Sequence, residues 1–123
     1  MSKYLINKVK VLTATDAIFA SAVETDKIAL DNYQSVRIAV ATGEGDAVKT
    51  NAKVIAVIDE NTTKEIKTQE ITIGAETVSY IDVIANEIAE VDATEIKITI
   101  DAVAESTIEG TIIAVFGEER YTE

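Results

Sequence analysis

Residues branched at Cβ fill more than a third of this chain: 18 Ile, 13 Val and 15 Thr account for 46 of its 123 positions. Such side chains lose rotamer freedom in a helix and pack well on a pleated surface, so the composition favours strands throughout. The order of the residues agrees. Along Ser35-Val36-Arg37-Ile38-Ala39-Val40-Ala41 the large apolar groups Val36, Ile38 and Val40 fall on one side of an extended chain, with Arg37, Ala39 and Ala41 on the other. Glu95-Ile96-Lys97-Ile98-Thr99-Ile100-Asp101 alternates without a slip, the pattern of a strand with one face in a core and one in water.

The same reading predicts strands over 64–73, 77–83 and 107–116, and weaker ones over 8–12, 18–20 and 27–30, about eight in all. Gly43-Glu44-Gly45-Asp46 supplies turn residues between 35–41 and a mostly apolar run over 52–58, which together read as a hairpin with a mobile tip. Ile84, Ile88 and Val91 fall at helical spacing among good helix formers, so a short helix is expected near 85–90; a strand running on to Ala85 and then a loop fits as well. One-sided strands with turns at short intervals describe an all-β chain, an antiparallel β-sandwich of jelly-roll-like or Ig-like form. Residues 1–123 are expected to make a single domain, since a second would need more chain. Scaling relations give about 6,400 Å² of folded surface against about 19,000 Å² unfolded, enough burial for a core without staples. Val36, Ile38, Val40, Val54, Ile98 and Ile100 are expected inward, with Phe19 and Phe116 among them.

Absent residue types narrow the chemistry. The chain has no His, Cys, Pro or Trp, so imidazole bases, thiolate nucleophiles, disulfides and the usual zinc ligands are all missing. Carboxylates are plentiful, but neighbours such as Glu118 and Glu119, or Glu44 and Asp46, sit in Gly-bearing turns, whereas glycosidase chemistry needs two carboxyls facing across a cleft with one pKa raised by burial. No Gly-rich stretch leads from a strand into a helix as a phosphate loop requires. The chain is therefore read as non-enzymatic, without a cofactor or a resident metal.

One stretch imitates a metal loop. Residues 59–70 place oxygen-bearing side chains at positions 1, 3, 5, 7 and 12, with Ile66 at position 8, as an EF-hand does. Lys64 occupies the sixth position, where the turn needs Gly, and the flanks read as strands, so a polar hairpin loop over 59–63 is the better account. Asn61-Thr62-Thr63 is a glycosylation sequon by pattern alone. Sugar binding would need aromatic platforms, for which the chain offers Tyr4, Tyr33, Tyr80 and Tyr121, expected at sheet margins.

The net charge of −11 disfavours nucleic-acid binding, which clustered Lys and Arg drive. No apolar run approaches the length of a membrane span or signal peptide, which predicts a protein made in a cytoplasm. The charge is uneven: residues 1–15 carry +3 from Lys3, Lys8 and Lys10, leaving −14 for the remainder. Residues 1–12 are accordingly either an assembly arm, built on Lys3, Tyr4, Leu5, Ile6, Lys8 and Lys10, or an ordinary edge strand kept soluble by its lysines.

The compact acidic β-rich chain, with Tyr33-Gln34-Ser35-Val36-Arg37 opening a strand, Thr42-Gly43 closing it and Gly117-Glu118-Glu119-Arg120-Tyr121 near its end, resembles small virion structural proteins of tailed bacteriophages and prophages. Among these it is most similar to head decoration, or auxiliary capsid, proteins. The resemblance implies a β-sandwich module on the outer capsid surface, often a symmetric homo-oligomer, that binds the major capsid protein or another virion protein and reinforces the shell without catalysis. The competing reading is a carbohydrate-binding or adhesin-type β-sandwich module.

Overall fold

The computed structural model of the chain describes residues 8–11, 17–30 and 33–119. They form ten strands, β1 (Lys8–Val11), β2 (Ala17–Ile18), β3 (Val23–Glu24), β4 (Ile28–Ala29), β5 (Tyr33–Thr42), β6 (Val48–Asp59), β7 (Thr62–Ile73), β8 (Val78–Ile84), β9 (Glu95–Ile100) and β10 (Glu109–Glu119), with one helix, α1 (Ala85–Ala89), between β8 and β9. All pairings are antiparallel. The first sheet runs β1-β10-β5-β8 with β2 also on β10; the second runs β3-β9-β6-β7 with β4 also on β9.

Ten segments occupy eight positions, because β1 and β2 lie along one edge of β10, and β3 and β4 along one edge of β9. Counted that way, the first position pairs with the eighth, the second with the seventh, the third with the sixth and the fourth with the fifth. This nesting is the jelly roll, and it decides between the two sandwich forms that the sequence leaves open.

The core lies between the sheets. The first sheet contributes the rows Phe116–Val36–Val83 and Ala114–Ile38–Ile81, and the second Val54–Ile98, Ala52–Ile100 and Ala56–Ile96; all are buried, as are Phe19 and Phe116. All six inward positions expected from alternation are inward. Val23–Glu24 has no periodic signal of its own and is a strand only because β9 offers it an edge. Between β3 and β4 Thr25 keeps the ladder with backbone and side chain together: its N–H donates to Ile98 O at 2.9 Å, and the Ile98 N–H donates to its Oγ1 at 3.0 Å.

One expectation is corrected. Strands β5 and β6 do not form a hairpin: they belong to different sheets, and residues 43–47 cross between them. Turn residues report that the chain reverses, not which neighbour the next strand will pair with, and five residues suffice to span the roughly 10 Å between packed sheets. The crossing is tied down by backbone bonds from Gly43 N–H to Glu109 O (2.9 Å) and from Ala75 N–H to Gly45 O (2.7 Å). Gly74, at φ +89°, is needed here, because a Cβ would stand 2.5 Å from Asp46 O.

The strand predicted over 77–83 runs to Ile84 and the helix then begins at once. Glu87 accepts the Ile84 N–H at 2.9 Å, which caps the first turn. The helix ends in a Schellman motif: the Ala93 N–H reaches Ile88 O (3.0 Å), the Asp92 N–H reaches Ala89 O (3.0 Å), and Asp92 holds φ 60°. This local chemistry explains how five residues can stay helical.

The two flanks of the sandwich are unlike. On one, β7 and β8 face each other across the gap between the sheets, and polar side chains bridge them. Lys67 donates to Asp82 O (2.6 Å), Gln69 donates to Tyr80 O (2.7 Å), and Ser79 Oγ donates to Thr72 O (3.1 Å). On the other flank, among the described residues, stand the short segments β1 to β4.

Candidate functional site

The outer face of the first sheet stands apart. Register places four rows across β10, β5 and β8: Thr111–Ala41–Val78, Ile113–Ala39–Tyr80, Val115–Arg37–Asp82 and Gly117–Ser35–Ile84. Val78, Tyr80 and Ile84 are 49%, 49% and 50% exposed, so a stripe of large apolar groups faces solvent along β8. The rows hold one cation and one anion, and these pair with each other: Arg37 Nε donates to Asp82 Oδ1 at 2.8 Å and Nη2 to Oδ2 at 3.0 Å. The guanidinium also lies 4.9 Å from the centre of the Tyr80 ring.

Each partner holds the other's charge. Hydrogen bonding from Arg37, partly opposed by desolvation, lowers the Asp82 pKa, and the bond to Asp82 raises that of Arg37. Both side chains are more than half exposed, so the pair fixes geometry more than it stabilises the fold. Within these four rows the two charges cancel.

The outer face of the second sheet is its opposite. Lys49, Lys53, Glu65, Glu70, Glu95 and Lys97 project from it at alternating positions. Ion pairs link Lys49 to Glu70 and Lys53 to Asp101, each at 3.7 Å, and Lys97 to Glu24.

Other candidates fall in separate places. Lys8 and Lys10 belong to β1, opposite Phe116 and Ala114, so this part of the proposed arm is an edge strand; Lys3, Tyr4, Leu5, Ile6 and Tyr121 lie outside the described residues. Residues 59–70 form a hairpin turn and the strand β7; the Asn61 N–H donates to Asp59 Oδ1 at 2.8 Å, and that bond lowers the Asp59 pKa. Among the described residues no group of three or more acidic side chains is arranged to hold a metal ion. Glu44 and Asp46 are exposed in the 43–47 crossing. Of the tyrosines, Tyr80 opens to solvent on the quiet face, while Tyr33 packs against Phe116 at 5.4 Å between ring centres. A hollow of about 380 Å³ lies beside α1, with Leu30, Ala85, Ile88, Ala93, Thr94 and Glu95 in its lining.

The quiet face escaped sequence reading because its members come from strands far apart in the chain. Its signal lies in the unbroken apolar run Ile112-Ile113-Ala114-Val115-Phe116 and in Val78-Ser79-Tyr80-Ile81-Asp82-Val83-Ile84, both apolar on two sides where a one-sided strand alternates.

Comparison with known proteins supplies a fold. No protein family matches the sequence, and no curated protein does. A solved structure of YomS, a protein derived from the SPBc2 prophage, is similar over 90% of this chain and 92% of its own, with 9% identity and a TM-score of 0.56. A CBM4 structure aligns over 97% of this chain and 79% of its own, at 13% identity and a TM-score of 0.47, too slight a likeness to carry weight. The likeness to YomS shows that this all-β sandwich occurs in a prophage-derived protein.

Proposed function

We propose that the chain is a non-enzymatic virion structural protein of a tailed bacteriophage or prophage, made in the host cytoplasm and docked on the outer capsid surface. Its partners in this reading are the major capsid protein or another virion protein, together with further copies of itself. The observation that carries the reading is the contrast between one sheet face with an exposed apolar stripe and the other covered with ion pairs, in a chain whose net charge is acidic, which suits a module that sits flat on a protein surface and avoids packaged nucleic acid. The resemblance to decoration proteins and the shared fold with a prophage-derived protein support it. Mass spectrometry of gradient-purified particles from the source phage or induced prophage tests it: the chain is expected at a fixed ratio to the major capsid protein. Its absence from the particles would overturn the reading.

The lysines of residues 1–12 enter as a second attachment element, Lys8 and Lys10 from the β1 edge strand and Lys3 from the segment before it. Reversing Lys3, Lys8 and Lys10 to Glu is expected to weaken particle binding at least tenfold while the fold survives; unchanged binding would remove the arm from the scheme. A second reading, a carbohydrate-binding module, has one observation in its favour, the half-exposed Tyr80 ring beside the polar pair Arg37–Asp82. A glycan array in which some sugar binds the chain saturably but not Tyr80→Ala would favour it.

A further inference from the structure

Helix α1 is too short to hold itself. Its five residues lie well below the length at which a helix is stable alone, and the sequence suits a strand running on to Ala85 as well as it suits a helix. The backbone at Ile84 is still extended, at φ −106° and ψ 154°, so the change from strand to helix falls on a single residue. Strand β5 also runs past the last partner that β8 gives it. Ser35 stands opposite Ile84, and β5 goes on to Gln34 and Tyr33. The same register, carried further, sets Ala85 opposite Gln34 and Asn86 opposite Tyr33, so the first sheet already holds a place for a longer β8.

What favours the helix reaches it from the other sheet. Glu87 accepts the Ile84 N–H at 2.9 Å through Oε1 and meets Lys67 Nζ at 3.1 Å through Oε2. Lys67 belongs to β7, in the second sheet, and the same ammonium donates to Asp82 O at 2.6 Å. Lys67 therefore fixes, from across the gap between the sheets, the carboxylate that caps α1. The two side chains are 30% and 31% exposed, deep enough for the pair to bias a conformation and open enough for it to break. Beside the helix lies the hollow of about 380 Å³, whose lining Ile88 and Ala89 share with Ala29 and Leu30.

We infer that residues 85–89 are a two-state element latched by Lys67: helix α1 while Lys67 holds Glu87, and a lengthened β8 paired with Gln34 and Tyr33 when the latch is lost. The helix is the major state, because it buries Ile88. In the extended state Ile88 and Ala89 leave the wall that they share with Leu30, so the latch governs access to the hollow. The inference goes beyond the virion reading and does not depend on it, since particle binding has no part in its test.

Carbon shifts and amide exchange of the isotopically labelled full chain supply that test. In Lys67→Met, which keeps the stem and removes the charge, the Cα shifts of Ala85 and Asn86 are expected to move from helical towards extended values. Exchange of the Glu90 amide, which donates to Asn86 O at 3.1 Å, is expected to quicken at least about fivefold relative to the amides of β6. Glu87→Ala removes cap and latch together and should move the same signals further, while Lys67→Arg should keep the helical values. Gln69→Ala, which removes the neighbouring bond to Tyr80 O alone, should leave Ala85, Asn86 and Glu90 unchanged. Helical shifts and slow Glu90 exchange in Lys67→Met would overturn the inference, as would Cα shifts that move to random-coil instead of extended values, or an equal response to Gln69→Ala.

Discussion

The two sheets cover one core and present opposite exteriors. Behind the second sheet, Lys49, Lys53 and Lys97 alternate with Glu24, Glu70 and Asp101 in a lattice of ion pairs; behind the first, Arg37 and Asp82 answer each other among Val78, Tyr80, Ile84, Ile113 and Val115. The difference teaches that a sandwich fixes its interior by the inward half of each strand and leaves the outward half free to specialise. In the second sheet that half carries ion pairs, and in the first an exposed apolar stripe.

If the interior is shared, it should respond alike from both sides. Ile81→Ala, beneath the first sheet, and Ile98→Ala, beneath the second, are each expected to cost about 2 to 5 kcal/mol in denaturant unfolding. A loss within about 0.5 kcal/mol at either site would break the picture of a common core. Next in size is the bridge between the sheets. Lys67→Ala loses the bond to Asp82 O and the 3.1 Å pair with Glu87, and is expected to cost about 1 to 2 kcal/mol.

The outward pairs should matter less, and in different ways. Asp82 has its pKa lowered by Arg37 in the folded chain, so the pair contributes stability above the ordinary carboxylate pKa of about 3.9 and loses it as pH falls through the depressed value. Arg37→Ala is expected to return the Asp82 titration, followed by its carboxyl carbon resonance, towards the ordinary range, with little change in stability at neutral pH. An Asp82 titration unmoved by the substitution would mean that the pair does not form. Lys49→Ala, on the charged face, is expected to change stability by about 0.5 kcal/mol or less, since its partner Glu70 is equally exposed. A larger loss would mean that the lattice of pairs acts as a unit.

How much of this was legible before folding depended on how many faces a strand buries. β9 alternates Glu95, Lys97 and Thr99 with Ile96, Ile98 and Ile100, and its position and inward side follow from that alone. β10 and β8 are apolar on both sides, which marks them as strands but hides which side faces the core. The crossover at 43–47 was read as a hairpin because a turn is local and sheet membership is not. Val23–Glu24 was invisible for the same reason: two residues carry no period, and only Ile100 and Thr99 opposite them make a strand. The quiet face needed Arg37 and Asp82, 45 residues apart, to be brought into register.

The bridged flank has a further consequence for growth. A ribbon of sandwiches joined strand to strand requires each molecule to offer a free border at both ends of a sheet. Here Lys67, Gln69 and Ser79 occupy the carbonyls of Asp82, Tyr80 and Thr72 along the border of β7 and β8, where a visitor's strand would otherwise bond. Along this flank the molecule's own side chains occupy carbonyls that an incoming strand would need, a guard against edge growth in a chain so rich in the residues from which fibres are made.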